Sequence, residues 1–181
     1  AATVAFGHGL AASPLHLASA YATLANDGRR VRPTLVHRKQ PAQGEQVLSP
    51  QAAAASRDLL RGVVTRGTAK AAEVTGYSVG GKTGTADKPK PGGGYFKSRV
   101  VSTFAAIYPT DKPEYVLVVS LDEPSVSAAG GGELRTAGAT AAPVAAALIQ
   151  RLTPMLGLKP EGAALPEIGP RASDAVRVSS R

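Results

Sequence analysis

The chain has 181 residues, 43% of them apolar, a formal net charge of +8 and no cysteine. That length gives one domain with a real core, or a piece of a larger one; the missing cysteine excludes disulfides and thiolate metal sites without fixing a compartment. The positive balance points to an anionic partner or to a solvated basic face, and no aromatic-studded basic strand of the kind that binds nucleic acid accompanies it.

The first seven residues lack a basic segment and a long apolar stretch, so they are no signal peptide. They read as the middle of something. Ser13-Pro14 signals a helix start, with Ser as the cap and Pro at the first helical position. Leu17, Tyr21 and Leu24 recur at helical spacing behind it, and Asn26-Asp27-Gly28 ends it. Val31 to Arg38 reads as a short strand and Val47-Leu48 as another. Ser49-Pro50 repeats the start signal for a helix reaching about Arg66, stopped by Gly67.

Gly76 to Thr85 reads as a strand interrupted by glycines, and Asp87 to Gly94 as loop. Arg99 to Tyr108 and Tyr115 to Leu121 are β-rich runs, and the turn Asp111-Lys112-Pro113 makes them an antiparallel pair. Gly130-Gly131-Gly132 marks a second flexible connection. Thr136 to about Leu156 reads as an Ala-rich helix with Pro143 in its first turns. Residues 158–181 are polar and aperiodic, and read as a disordered tail. No apolar run approaches the ~20 residues of a membrane span.

The stretch Gly76-Tyr77-Ser78-Val79-Gly80-Gly81-Lys82-Thr83-Gly84-Thr85 fits three catalytic patterns. As a phosphate loop, Lys82 would meet phosphates and Thr83 a magnesium ion, with Val116 to Asp122 as an acidic-ended partner strand. Such a loop must open directly into a helix N-terminus, and the Pro/Gly-rich stretch after Thr85 argues against one. As a nucleophile elbow, Ser78 would attack, with a histidine later in the chain. All three histidines, His8, His16 and His37, precede it.

The third pattern is an anion-binding strand. Lys82 supplies a cation, Thr83 and Thr85 supply hydroxyl donors for a carboxylate, and Gly84 leaves room for a substrate backbone. Alternation puts Thr83 and Thr85 on one face and Lys82 on the other, a division that strand twist softens.

The flanks of that strand resemble the transpeptidase domain of class B penicillin-binding proteins. The resembling residues are Phe6-Gly7-His8-Gly9, Ser13 through Gly28, Val63-Val64 with Gly67-Thr68-Ala69, Gly76-Tyr77, Gly81 through Ala86, and Ala141-Ala142-Pro143-Val144. Phe6 to Gly9 looks more like the septal division type than the elongation type. The resemblance runs over residues 2–157 and implies an α/β (α+β) fold with an antiparallel sheet flanked by helices, of the β-lactamase and penicillin-binding type. It implies incompleteness too, with residues 1–157 as the C-terminal part of that domain.

The family's chemistry is acyl transfer: a serine attacks the D-Ala-D-Ala end of a peptidoglycan stem peptide, and the acyl group passes to an amine of a neighbouring stem. β-Lactams acylate the same serine. By the resemblance Lys82 steadies the site and orients proton transfer, and Thr83, Gly84 and Thr85 receive the substrate's terminal carboxylate and backbone. The amide of Thr85 would be half of an oxyanion hole. The family's S-x-x-K and S-x-N motifs have no counterpart: no serine has a lysine three positions on, and the single asparagine, Asn26, has Leu24 two before it. The nucleophile is therefore expected outside this chain, and the chain alone is expected to be inactive.

The resemblance further implies no cofactor and no metal. Its partners are peptidoglycan stem peptides, β-lactams, a membrane glycosyltransferase and other division proteins, not nucleic acid. It places the parent protein on the periplasmic side of the inner membrane, anchored by an N-terminal helix. Two other functions stay open at this level: a non-catalytic module that binds peptide carboxylates or a division partner, and a phosphate-loop NTPase.

Overall fold

The computed structural model describes residues 7, 10–37 and 44–160. Phe6, His8, Gly9, Arg38 and the tail from residue 161 lie outside the described residues. Three helices and five strands follow in the order α1 (Pro14–Ala25), α2 (Pro50–Arg66), β1 (Gly80–Pro89), β2 (Tyr95–Tyr108), β3 (Tyr115–Asp122), β4 (Val126–Ser127), β5 (Glu133–Leu134) and α3 (Ala141–Met155), with a short 3-10 turn at Lys70–Ala72.

The two Ser-Pro signals start helices for the same reason. Ser13 Oγ accepts from the His16 amide at 3.3 Å and Ser49 Oγ from the Ala52 amide at 3.1 Å, and each proline occupies a position whose N–H would have no partner. Asp27 and Gly28, with φ of 48° and 80°, turn the chain out of α1. A side chain at Gly28 would collide with the Leu48 carbonyl, so the turn needs glycine on both counts.

Two expected strands do not form. The backbone of Val31 is occupied by α1: its N–H donates to Thr23 Oγ1 at 3.3 Å and its carbonyl accepts from Ser19 Oγ at 2.5 Å. Pro33 has no N–H to offer a ladder. The amides of Val47 and Leu48 both turn to the Gly28 carbonyl, leaving a lone bridge between Arg29 and Gln46.

The main sheet is antiparallel with the order β1-β2-β3. Thr83 pairs with Phe104, which pairs with Val119. Phe104 to Tyr108 is buried at every position, so both faces of β2 are covered. One face, with Phe104, Ala106 and Tyr108, meets Ala141, Ala142, Ala145 and Ile149 of α3. The opposite face, with Ala105 and Ile107, is left to α1, which packs against β3 and β2; α2 packs against β1.

Three boundaries differ from the sequence reading. β1 begins at Gly80, because Gly76 turns the chain beside a bridge between Val74 and Tyr77. It then runs through Pro89 rather than becoming loop at Asp87: the ladder shifts register between Asp87 and Pro89, and an outer strand tolerates a residue without an N–H. α3 begins at Ala141, not Thr136, because residues 136–140 form turns around Gly138. Gly130 to Gly132 form the tip of the β4–β5 hairpin.

The basic cluster of Lys82, Lys88, Lys90, Lys97 and Arg99 is not one open patch. Lys88 reaches Asp122 and Glu123 at 2.7 Å each, and Arg99 reaches Glu123 at 2.5 Å. Arg99 also lies over the Phe96 ring. The bonds from Arg99, then those from Lys88, hold the Glu123 carboxyl down to about 2. Because the folded value lies below the ordinary 4.5, the stabilisation is present above pH 4.5 and disappears as the pH falls toward 2. Thermal unfolding of the parent sequence and of Glu123→Gln should therefore differ above that window and converge below it, with the gap narrowed by salt. Melting temperatures separated by the same interval at every pH would contradict this assignment.

Candidate active site

Lys82 to Thr85 lie in the middle of β1, and β1 is an outer strand whose far edge is unpaired among the described residues. Two of the glycines before them serve packing. A Cβ on Gly80 would stand 2.5 Å from Thr110 and 3.0 Å from the Arg61 amide, and one on Gly81 would stand 2.5 Å from the Phe104 ring. β1 is thereby pressed onto α2 and the core. Gly84 differs, since its nearest neighbour would be the Thr103 carbonyl at 4.0 Å. Nothing inside the protein requires glycine there, so the space it leaves opens outward.

Thr83 and Thr85 share a face, as alternation predicts. Thr83 Oγ1 lies 2.7 Å from Thr68 Oγ1, and Thr85 Oγ1 accepts from the Ala137 amide at 2.9 Å. Lys82 starts from the other face, but its ammonium folds around the strand edge. It donates to the Thr83 carbonyl at 2.8 Å and stands 3.5 Å from Thr83 Oγ1. The Thr83 carbonyl therefore faces the open edge. In an antiparallel ladder the N–H and C=O of one residue point the same way, and residues two apart share that direction. The amide and carbonyl of Thr85 consequently face the same edge.

Two further segments complete the site. Thr68 follows the cap of α2, where Gly67 and the buried Ala69 both donate to the Val63 carbonyl. Residues 136–139 approach from the other side, so closely that a side chain on Gly138 would strike the Thr68 carbonyl. They are strapped to the sheet: buried Ser102 donates to the Arg135 carbonyl at 2.6 Å, and Arg135 donates to the Ser98 carbonyl at 2.8 Å. Thr68, Thr83, Thr85, Thr136, Gly138 and Ala139 line an open cleft of about 470 Å³.

The cleft is a set of donors. Lys82 is exposed and makes no ion pair among the described residues. An ammonium has only donors to give, and the hydroxyl of Thr85, having accepted from Ala137, keeps its own proton for a ligand. Among the described residues, no carboxylate lines the cleft. The arrangement therefore suits a small anion or a carboxylate terminus.

All four sequence-predicted site residues stand together on β1. Sequence reasoning missed Thr68, Thr136 and Gly138 as site residues. Gly138 was the available signal, since a glycine two residues after Thr136 contradicts a helix starting there.

Ser78 stands apart from the cleft. It donates to Asp111 at 2.8 Å and accepts from the Thr110 amide at 3.0 Å, pinning the start of β1 to the β2–β3 turn. Its hydroxyl holds the Asp111 carboxyl below the usual range. Lys82 is followed directly by strand, through Pro89, so the helix opening that a phosphate loop needs is missing there.

Known proteins share this architecture. Residues 1–150 match the model of the penicillin binding protein transpeptidase domain. A probable peptidoglycan D,D-transpeptidase FtsI of Caulobacter vibrioides is 40% identical over 169 residues, covering 87% of this chain and 28% of that protein. The stage V sporulation protein D of Bacillus subtilis is 33% identical over 171 residues, covering 88% of this chain and 25% of that protein. The chain thus spans about a quarter of the length of these relatives.

Among solved structures, the apo transpeptidase domain of Burkholderia pseudomallei penicillin-binding protein 3 superposes with a TM-score of 0.75 at 36% identity, over 88% of this chain and 47% of that one. Penicillin-binding protein 3 of Mycobacterium tuberculosis, in complex with aztreonam, gives 0.74 at 32% identity, over 88% of this chain and 38% of that one. By sequence and by fold, the chain belongs to the penicillin-binding protein transpeptidase domain family.

Proposed function

We propose that this chain forms the carboxylate-binding wall of a peptidoglycan D,D-transpeptidase whose nucleophile lies on another segment of the same protein. The observation that carries the reading is a cleft lined by four threonines and, among the described residues, by no acid, with the Lys82 ammonium 3.5 Å from the Thr83 hydroxyl beside it.

In this reading the terminal carboxylate of a D-Ala-D-Ala stem peptide lies against Thr83 and Thr85, with Lys82 supplying the opposite charge. The peptide backbone runs along the open edge of β1, past Gly84. A serine oxygen attacks the penultimate carbonyl carbon. The electron pair of the C=O bond moves to oxygen, and the Thr85 amide stabilises the resulting oxyanion with a second amide from the serine segment. Collapse breaks the peptide bond, the terminal D-Ala leaves with a proton, and an acyl-serine remains. An amine from a neighbouring stem then takes the acyl group, which restores the serine. A β-lactam follows the first half of this path, as the relatives crystallised with aztreonam and ampicillin suggest.

The parent protein would act on the periplasmic side of the inner membrane, held by an N-terminal helix, beside a membrane glycosyltransferase and other division proteins. Its S-x-x-K and S-x-N motifs would come from sequence before residue 1. None of the helices among the described residues is long and apolar enough to cross a membrane.

Intact-mass spectrometry with a penicillin tests the reading. The 181-residue chain should gain no covalent adduct, and a full-length protein containing it should gain one, mapped to a serine outside these residues. An adduct on a serine within the chain would overturn the division of labour. A full-length protein that gains none would overturn the penicillin-binding reading.

A further inference from the structure

Two threonines outside the motif on β1, Thr68 and Thr136, also line the cleft. Thr68 Oγ1 stands 2.7 Å from Thr83 Oγ1, close enough that one of the two donates to the other. Either can be the donor, because a hydroxyl oxygen has two lone pairs and Thr83 can accept from Lys82 and from Thr68 at once. The Lys82 ammonium lies 3.5 Å from Thr83 Oγ1 and can only donate. With Thr68 donating as well, both lone pairs of Thr83 are taken, and its one proton is left for a ligand in the cleft that both threonines line.

The backbone around Thr68 is held for this position. Gly67 caps α2, Ala69 is fully buried, and the Thr68 carbonyl is backed by Gly138, where no side chain would fit. The side chain itself is exposed. Its hydroxyl is bonded to Thr83 across the mouth of the cleft, at 2.7 Å.

We infer that Thr68 is a positioning residue, which donates to Thr83 beside Lys82 and so aims the Thr83 proton at the terminal carboxylate. The inference rests on the carboxylate-wall reading above and adds to it a residue from outside the Lys82–Thr85 motif. It also gives Lys82 a second task, occupying a lone pair of Thr83 besides supplying charge.

The test titrates the isotope-labelled 181-residue chain with N-acetyl-D-Ala-D-Ala and with the same dipeptide as its C-terminal amide, followed by NMR. The unsubstituted chain should prefer the acid by about tenfold or more. Thr68→Val keeps the shape and loses the hydroxyl. It should weaken binding of the acid by about 10- to 100-fold while leaving binding of the amide unchanged. Thr68→Ser should restore the preference. Thr68→Val that keeps the full preference would overturn the inference and leave the carboxylate wall standing. Thr68→Ser that behaves like Thr68→Val would overturn it as well, since a loss independent of the hydroxyl is one of shape. An unsubstituted chain with no preference for the acid would overturn the carboxylate wall and the inference together.

Discussion

Phe104→Ala should remove about 3–5 kcal/mol of folding stability, the largest loss expected from one substitution in this chain. The ring is fully buried in the middle of β2, between Thr83 of β1 and Val119 of β3, and belongs to the cluster that α3 covers. Its edge also sets how near β1 can come, because Gly81 leaves no Cβ between them. Truncation would leave a cavity that the flanking strands cannot close without breaking their ladders. For a domain of this size each kcal/mol is worth roughly 2–4 °C, so the melting temperature should fall by roughly 6–20 °C. Calorimetry would read the change. A loss under about 1 kcal/mol would mean that the sheet is not packed around this ring.

Lys82→Met should give the opposite profile. Its side chain is exposed, with no ion pair among the described residues, so stability should change by no more than about 0.5 kcal/mol. Function should change far more. The ammonium is a cation beside the cleft, and it touches both the carbonyl and the hydroxyl of Thr83. Removing a charged hydrogen-bond donor from a carboxylate site costs about 10- to 100-fold in binding. In a full-length protein, penicillin acylation should slow at least as much, because the same cation would help to orient proton transfer. Stopped-flow acylation of the parent sequence and of Lys82→Met would show it. Equal rates would remove Lys82 from the chemistry.

Local signals carried much of this fold. Ser-Pro twice and Gly67 once marked helix ends correctly, because caps and stops depend on neighbours a few residues away. The β2–β3 pair was legible in its apolar runs and the turn between them. Val31 and Val47 were misleading, because their backbone groups are claimed by Ser19, Thr23 and Gly28, and no local pattern reports that competition. Pro89 was misleading too, since a proline excludes a central strand but not an outer one.

The site divides in the same way. Lys82 to Thr85 could be found as a motif because they are contiguous on one strand. Gly80, which fitted the elbow pattern, and Gly81, which fitted the phosphate loop, let β1 approach α2 and Phe104. Thr68 and residues 136–139 reach the cleft through tertiary packing alone, from the end of α2 and the approach to α3. Sequence spacing holds no trace of that meeting beyond Gly138.

In the proposed function, Lys82, Thr83 and Thr85 bind a carboxylate terminus. The most direct measurement is the NMR titration of the unsubstituted chain and of Lys82→Met with N-acetyl-D-Ala-D-Ala and its amide. The acid should shift the amide signals of Thr68, Thr83, Gly84, Thr85 and Ala137 in the unsubstituted chain, and Lys82→Met should lose most of that response. Shifts that are the same for acid and amide, or that survive Lys82→Met undiminished, would contradict it.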